Sequence, residues 1–338
     1  MSEGGTLAAA VEGASVGRWQ RELAEAIRDP AELRALLGLP SVPAPAAAKS
    51  FPLLVPRGFA ALMRRGDPAD PLLRQVLPHG DEDLPQPPGF SDDPLSEEGC
   101  APAPGLLRKY RSRALLVTTG ACAVHCRYCF RRHFAYDELP RGPRWWTAAI
   151  ANLRADTSVS ELILSGGDPL TLPDAQLAEL VAAVAEIPHL TRLRVHTRLP
   201  VVLPSRVDGG LLAWLAGTRL APVLVIHANH PTELSPAVAA ACARLRSAGV
   251  TVLNQAVLLA GVNDDVEVLV ALSEGLFAIG VLPYYLHALD RVAGAAHFMV
   301  EENRAREIHR ALAARLSGYL VPRLVREEPG AAGKTPLV

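Results

Sequence analysis

From residue 113 onward the apolar positions alternate between two textures. Short runs of aliphatic and β-branched residues give way to longer stretches whose apolar residues recur three or four apart. That alternation predicts successive βα units around a parallel sheet. Six strands are expected at 114–118, 161–165, 192–196, 223–228, 250–256 and 281–286, with helices near 145–154, 174–186, 209–215, 236–248, 266–278 and 301–316. Six units are three-quarters of an eight-stranded barrel, so the expected fold is α/β, a partial six-stranded parallel (βα)6 barrel with an N-terminal helical appendage. The expected division is an appendage over 1–105, a barrel over 106–326 and a tail over 327–338. Within the appendage, helical spacing runs over 19–27, and Asp29-Pro30 and Asp70-Pro71 each read as a capped helix start. The proline-rich stretches 39–56 and 78–104 read as extended surface connections in which nothing suggests chemistry.

Barrel chemistry sits on loops after the strands, and polar residues collect there. The first strand leads into Cys122-Ala-Val-His-Cys126-Arg-Tyr-Cys129, the second into Ser165-Gly166-Gly167-Asp168, and the third into His196-Thr197-Arg198. His227, Asn229 and His230 follow the fourth, Asn254 and Gln255 interrupt the fifth, and Tyr284, Tyr285 and His287 end the sixth. The two glycines would let backbone approach a ligand, although Gly-Gly-Asp-Pro is also an ordinary turn. His227 and His230, three apart, read as cofactor contacts or as histidines bonded to backbone. An amide pair inside an apolar strand needs partners, either a ligand or its own neighbours. No phosphate-binding glycine motif is present.

Three of the five cysteines lie in one eight-residue loop, so they are expected to hold a soft metal centre. Three thiolates suit a four-iron cluster with one iron left open to a small molecule. Zinc, with His133 as a fourth ligand, is the competing reading. Cys100 and Cys242 fit neither arrangement and read as buried or incidental thiols.

Composition narrows the field further. A chain of 338 residues that is 49% hydrophobic can build a large core. A net charge of −1 gives no field for nucleic acid or an anionic membrane, and no apolar run approaches a membrane span. With no secretory pattern at the start and clustered thiols, a cytoplasmic location is expected. Of 34 basic residues only Lys49, Lys109 and Lys334 are lysine. A lysine in the glycine-rich tail 329–336 would ordinarily be frayed, but arginine cannot do imine chemistry, so Lys334 stands out.

C-x3-C-x2-C with Tyr128 before the last cysteine resembles the cluster loop of radical S-adenosylmethionine enzymes. The longer run of C-R-Y-C-F-R-R-H-F, L-S-G-G-D-P-L, R-L-P-V-V-L-P, H-A-N-H-P, N-Q-A-V-L-L-A-G-V-N-D, P-Y-Y and G-K-T-P-L, from about residue 105 to 337, resembles the lysine 2,3-aminomutase family. The resemblance implies a [4Fe-4S] cluster on Cys122, Cys126 and Cys129, S-adenosyl-L-methionine and pyridoxal 5′-phosphate. It makes Lys334 the Schiff-base lysine and Arg113 a contact to the cofactor phosphate. Tyr128, Ser165, Gly166, Gly167, Asp168, His227 and Gln255 would line the cofactor site, with the glycine-rich stretch at the methionine amino group. Arg131 would take the substrate carboxylate, and Asp290 with Glu327 a side-chain ammonium; Glu327 stands where free-lysine mutases carry aspartate.

The implied reaction moves the α-amino group of L-lysine to the β carbon. The short chain beyond Lys334 resembles the branch that makes (R)-β-lysine for elongation factor P and its lysine ligase. A reductant protein such as flavodoxin or ferredoxin would supply the electron. The competing readings are a producer of free β-lysine, a radical enzyme without pyridoxal phosphate, and a metal-binding scaffold that has lost activity.

Overall fold

The computed structural model describes residues 17–140, 142 and 144–338. Among the described residues the strands form one sheet, in chain order. The strands are β1 Leu106–Tyr110, β2 Arg113–Val117, β3 Glu161–Ser165, β4 Arg192–Thr197, β5 Ala221–Ile226, β6 Thr251–Val257, β7 Leu282–His287, β8 Arg323–Arg326 and β9 Thr335–Pro336. From β2 to β8 every neighbouring pair is parallel, while β1 and β9 lie antiparallel at the two edges. The six expected strands are β2 to β7, and three more extend the sheet: a seventh parallel strand and the two edge strands.

Among the described residues the edges do not pair with each other as a ladder; side chains join them instead. Glu327, just after β8, accepts from Tyr110 Oη at 3.0 Å and lies 3.5 Å from Lys109 Nζ, both on β1. The sheet therefore curls far enough for its ends to meet, as a partial barrel requires.

The helices between the strands are α6 Thr147–Ala155, α7 Asp174–Ala185, α8 Leu199–Val202, α9 Gly209–Ala216, α10 Pro236–Ser247, α11 Val266–Ala278 and α12 Glu302–Arg315, after five short ones. Those five are α1 Arg18–Ala24, α2 Pro30–Leu36, α3 Ala47–Ser50, α4 Arg57–Ala60 and α5 Pro71–Arg74. Asp29 and Asp70 cap α2 and α5 through backbone N–H groups, as their Asp-Pro starts predict. α1 is shorter than its spacing suggests, because Ile27 leaves the helix to pair with Val55. Trp145 and Trp146 likewise precede α6 instead of opening it.

One apolar core runs through both parts of the chain, joining Leu33, Phe59 and Leu72 to Leu164, Val195 and Leu224. The N-terminal segment is also stitched to the cysteine loop. His125 N–H donates to Leu54 O at 3.0 Å and Arg127 N–H to Gln75 O at 2.8 Å. The Arg127 side chain, fully buried, grips Glu82 through Nε at 2.9 Å and Nη2 at 2.5 Å and reaches the carbonyl of Phe51. Burial raises the Glu82 carboxyl's proton affinity, but Arg127 outweighs it and the carboxyl lies below its ordinary value.

Candidate active site

The carboxyl ends of the strands surround a cavity of about 360 Å3. Cys122, Cys126 and Cys129 line one side of it and Lys334, Glu327 and Asp290 another. At the cysteine end, burial raises the Cys122 thiol well above its ordinary value, with the neighbouring Cys129 adding to it. The Cys129 thiol rises to about 11 for the same reason, with Cys126 adding to it. Cys126 Sγ accepts from Arg198 Nη1 at 2.8 Å. The guanidinium of Arg198 also meets Gln75 Oε1 at 2.7 Å and Glu233 Oε2 at 3.1 Å, so its buried charge is paired. Tyr128 Oη accepts from Asn229 Nδ2 at 2.6 Å.

Among the described residues no three His, Cys, Asp or Glu side chains stand close enough to share one metal ion. His133 turns away, its Nε2 3.2 Å from Ala293 O, so the zinc reading lacks its fourth ligand. In a four-iron cluster each thiolate takes a different iron, and convergence on one point is not required. The donor set fits such a cluster: three thiols on one wall, with a guanidinium already at one sulfur.

The glycines have a structural task that spacing alone did not reveal. Gly166 has φ 125°, and a Cβ there would lie 2.6 Å from Thr119 O; at Gly167 it would lie 2.4 Å from Ala121 O. Gly167 and Asp168 N–H groups donate to those same carbonyls at 2.7 and 2.8 Å. The close approach is thus to the backbone of the cysteine loop, not only to a ligand. The Asp168 carboxylate is taken up by Thr197 Oγ1 at 2.7 and 2.9 Å and by the N–H groups of Arg198 and Leu170. Burial nevertheless holds it up at about 6.

The amide pair separates across the sheet. Asn254, buried, both accepts from and donates to the backbone of Ala228, so of the two alternatives it takes its partners from its own neighbours. Gln255 points to the cavity, its Nε2 2.9 Å from His227 Nε2. His230 caps the following turn through Thr232 and is no part of this pair. Burial depresses His227 to about 3, so it is neutral. Nε2 of both His196 and His287 is buried without a hydrogen-bond partner on the same cavity wall. Such atoms are costly unless a ligand meets them.

At the far side the tail folds back. β9 pairs with β8, and Leu337 N–H donates to Leu324 O at 3.1 Å. This places Lys334 Nζ on Glu327 Oε2 and 5.6 Å from the centre of the Tyr285 ring. Burial raises Glu327, but Lys334 and Lys109 outweigh it and hold the carboxyl down at about 2. Asp290 has the opposite fate: burial and then the Glu327 charge push it up to about 7. Arg113 lies over the Tyr110 ring at 4.0 Å, facing the cavity. Arg131 forks onto Glu97, Nε to Oε2 and Nη2 to Oε1 both at 2.8 Å, and touches Ser165 Oγ at 3.2 Å. Glu97 lies in the connection expected to hold no chemistry; only the fold shows its partner.

Comparison with known proteins decides the family. The chain is 49% identical over 323 residues to an L-lysine 2,3-aminomutase of Escherichia coli (strain K12), covering 94% of each. It is 47% identical over 320 residues to the L-lysine 2,3-aminomutase of Haemophilus influenzae, again covering 94% of each. The chain belongs to the L-lysine 2,3-aminomutase family. The enzyme of that name from Clostridium subterminale is 38% identical over 294 residues, 86% of this chain and 70% of that one.

Membership makes the chain an aminomutase-type isomerase, and the family implies a [4Fe-4S] cluster and S-adenosylmethionine. No family model matches the chain. A radical SAM methyltransferase from Sphaerobacter thermophilus has a TM-score of 0.45 at 20% identity, covering 65% of this chain and 68% of that one. SuiB of Streptococcus suis bound to S-adenosylmethionine also scores 0.45, at 14% identity, covering 66% and 51%. Neither likeness is strong enough to carry an argument about the site. The L-lysine 2,3-aminomutase motifs thus line one cavity, from the cysteine loop to Lys334.

Proposed function

We propose that the protein moves the α-amino group of L-lysine to its β carbon, using a [4Fe-4S] cluster, S-adenosylmethionine and pyridoxal phosphate. The product assigned is (R)-β-lysine, destined for elongation factor P by way of a separate ligase, with flavodoxin or ferredoxin as reductant. One observation carries this reading: the tail returns Lys334 to the cavity that the three cysteines line, beside two carboxylates. A lysine used only by chance would have no reason to be held there.

When bound, the cluster and S-adenosylmethionine would supply a carbon radical able to abstract hydrogen, and pyridoxal phosphate a π system that spreads an unpaired electron. The chain's own residues then have distinct tasks. Cys122, Cys126 and Cys129 hold the cluster, and Arg198 steadies one sulfur. Ser165, Gly166, Gly167 and Asp168 form the wall beside the cysteine loop, where S-adenosylmethionine would lie, with Tyr128, His227 and Gln255 completing it.

Lys334 would hold pyridoxal phosphate covalently and Arg113 would take its phosphate. Arg131 binds the substrate carboxylate, for which guanidinium geometry is suited. Asp290 and Glu327 bind the side-chain ammonium. The ammonium of Lys334 now rests on Glu327. Glu327 thus already accepts a lysine ammonium, the group that a substrate side chain would present to it. The curled sheet holds these groups around one cavity.

The covalent assignment is tested by loading the protein with pyridoxal phosphate, reducing with borohydride and mapping the adduct by mass spectrometry. The adduct is expected on Lys334 and should vanish in Lys334→Ala, which should also lose β-lysine formation by at least a thousandfold. An adduct on Lys109, or none, would contradict the assignment.

A further inference from the structure

We propose that Glu97 is a positioning residue that holds Arg131 for the α-carboxylate of the substrate and so enforces selection of an amino acid over an amine. The inference rests on the role given above to Arg131. Arg131 and Glu97 are both buried, at 6% and 4% exposure. Their fork uses the edge of the guanidinium formed by Nε and Nη2. Among the described residues the Nη1 side meets a neutral hydroxyl, Ser165 Oγ, at 3.2 Å, and Arg131 lines the cavity. A guanidinium carries five donors in a fixed plane, so fixing one edge sets the direction of the other. Phe130 lies against the same guanidinium, 4.7 Å from ring centre to Cζ, limiting its tilt.

Glu97 is itself fixed from several directions. Lys109 Nζ lies 3.0 Å from Oε1, and that lysine continues to Glu327 at 3.5 Å. The backbone N–H of Glu97 donates to Asp93 Oδ1 at 3.1 Å, and Ser96 before it adopts φ 51°, in the left-handed region. Upstream, Ser91 pairs with the loop that follows Asp290: its N–H donates to Arg291 O at 3.0 Å and its carbonyl accepts from Ala293 N–H at 2.9 Å. The connection is therefore a strap anchored near the proposed ammonium site at one end and on the proposed carboxylate site at the other. Strained backbone and a buried acid in a surface connection are features a mere linker does not need.

The test compares binding of L-lysine with that of 1,5-diaminopentane, which keeps both amines and lacks the carboxylate, in reconstituted holoenzyme. In Glu97→Gln the affinity for lysine should fall about tenfold or more, the weight of one charge-assisted contact, while that for the diamine stays the same. Glu97→Asp should recover part of the loss. With turnover as readout, KM should rise far more than kcat changes.

An unchanged lysine affinity would overturn the proposal. Equal weakening of both ligands would show a structural role, and tighter lysine binding would show that Glu97 competes with the substrate; either would overturn it as well. If the holoenzyme bound another α-amino acid in place of lysine and Glu97→Gln weakened that binding alone, the substrate reading would fail and the role of Glu97 would stand.

Discussion

Two carboxylates that both feel the charge of Lys334 have proton affinities shifted in opposite directions. Glu327 is held down at about 2 by Lys334 and Lys109 against burial, while burial and Glu327 push Asp290 up to about 7. The consequences for Asp290 run in opposite directions. Between its ordinary value of 3.8 and about 7 the folded chain binds more protons than the unfolded one, so this group's contribution to stability falls as pH rises. A cationic ligand prefers the ionised carboxylate, so affinity for L-lysine should rise about tenfold from pH 6 to pH 8. Asp290→Asn should flatten that rise in a binding titration; an identical rise in the variant would remove Asp290 from the ammonium site.

At the cysteine end, Gly167→Ala would press a methyl group on Ala121 O, an overpacking that costs about 1–3 kcal/mol. It should lower the thermal midpoint and the iron retained after cluster reconstitution. A variant with full iron content would show that the loop can shift without cost. Much of this was legible in the sequence, since rare residues mark it: three clustered cysteines, a lone tail lysine, paired glycines. Glu97 and Gln75 were not legible, because glutamate and glutamine in a proline-rich stretch carry no signal until the fold brings Arg131 and Arg198 to them.

The same difference holds for whole elements. β2 to β7 announce themselves as short apolar or β-branched segments between amphipathic helices, from the fully buried Glu-Leu-Ile-Leu-Ser of β3 to the alternating Arg-Leu-Arg-Val-His-Thr of β4. β1, β8 and β9 escaped because they are short and largely polar: Leu-Leu-Arg-Lys-Tyr and Thr-Pro at the two edges, and the four-residue Arg-Leu-Val-Arg beside the last of them. Yet these three carry Lys109 and Tyr110 and frame Glu327 and Lys334, so the least legible strands complete the cavity.

The N-terminal helices matter in a similar way, through the Arg127–Glu82 pair inside the cysteine loop's support. Arg127→Met takes two of the three guanidinium bonds from the buried Glu82 carboxylate and leaves it Arg132 Nη2 at 2.8 Å, at a cost of about 1–3 kcal/mol. Chemical denaturation should show that loss, and adding Glu82→Leu should restore part of it. If the double variant were no more stable than the single one, the pair would not be the unit that anchors the loop.

Over the whole molecule, one core links the N-terminal helices to the barrel, and the curled sheet brings its first and last strands together at Glu327. The cluster end and the lysine end of the cavity are thereby parts of one framework, as a radical rearrangement needs. Net charge of −1 leaves recognition to local groups, and no helix among the described residues is long and apolar enough to cross a membrane.

The central claim is the conversion of lysine itself. The direct measurement is anaerobic incubation of cluster-reconstituted protein with S-adenosylmethionine, pyridoxal phosphate, reductant and L-lysine, followed by chiral separation of the amino acids. Accumulation of (R)-β-lysine is predicted, and none should form without S-adenosylmethionine or with Lys334→Ala. The (S) form would contradict the elongation factor P assignment. Release of 5′-deoxyadenosine without any β-lysine would contradict the substrate assigned to Arg131, Asp290 and Glu327.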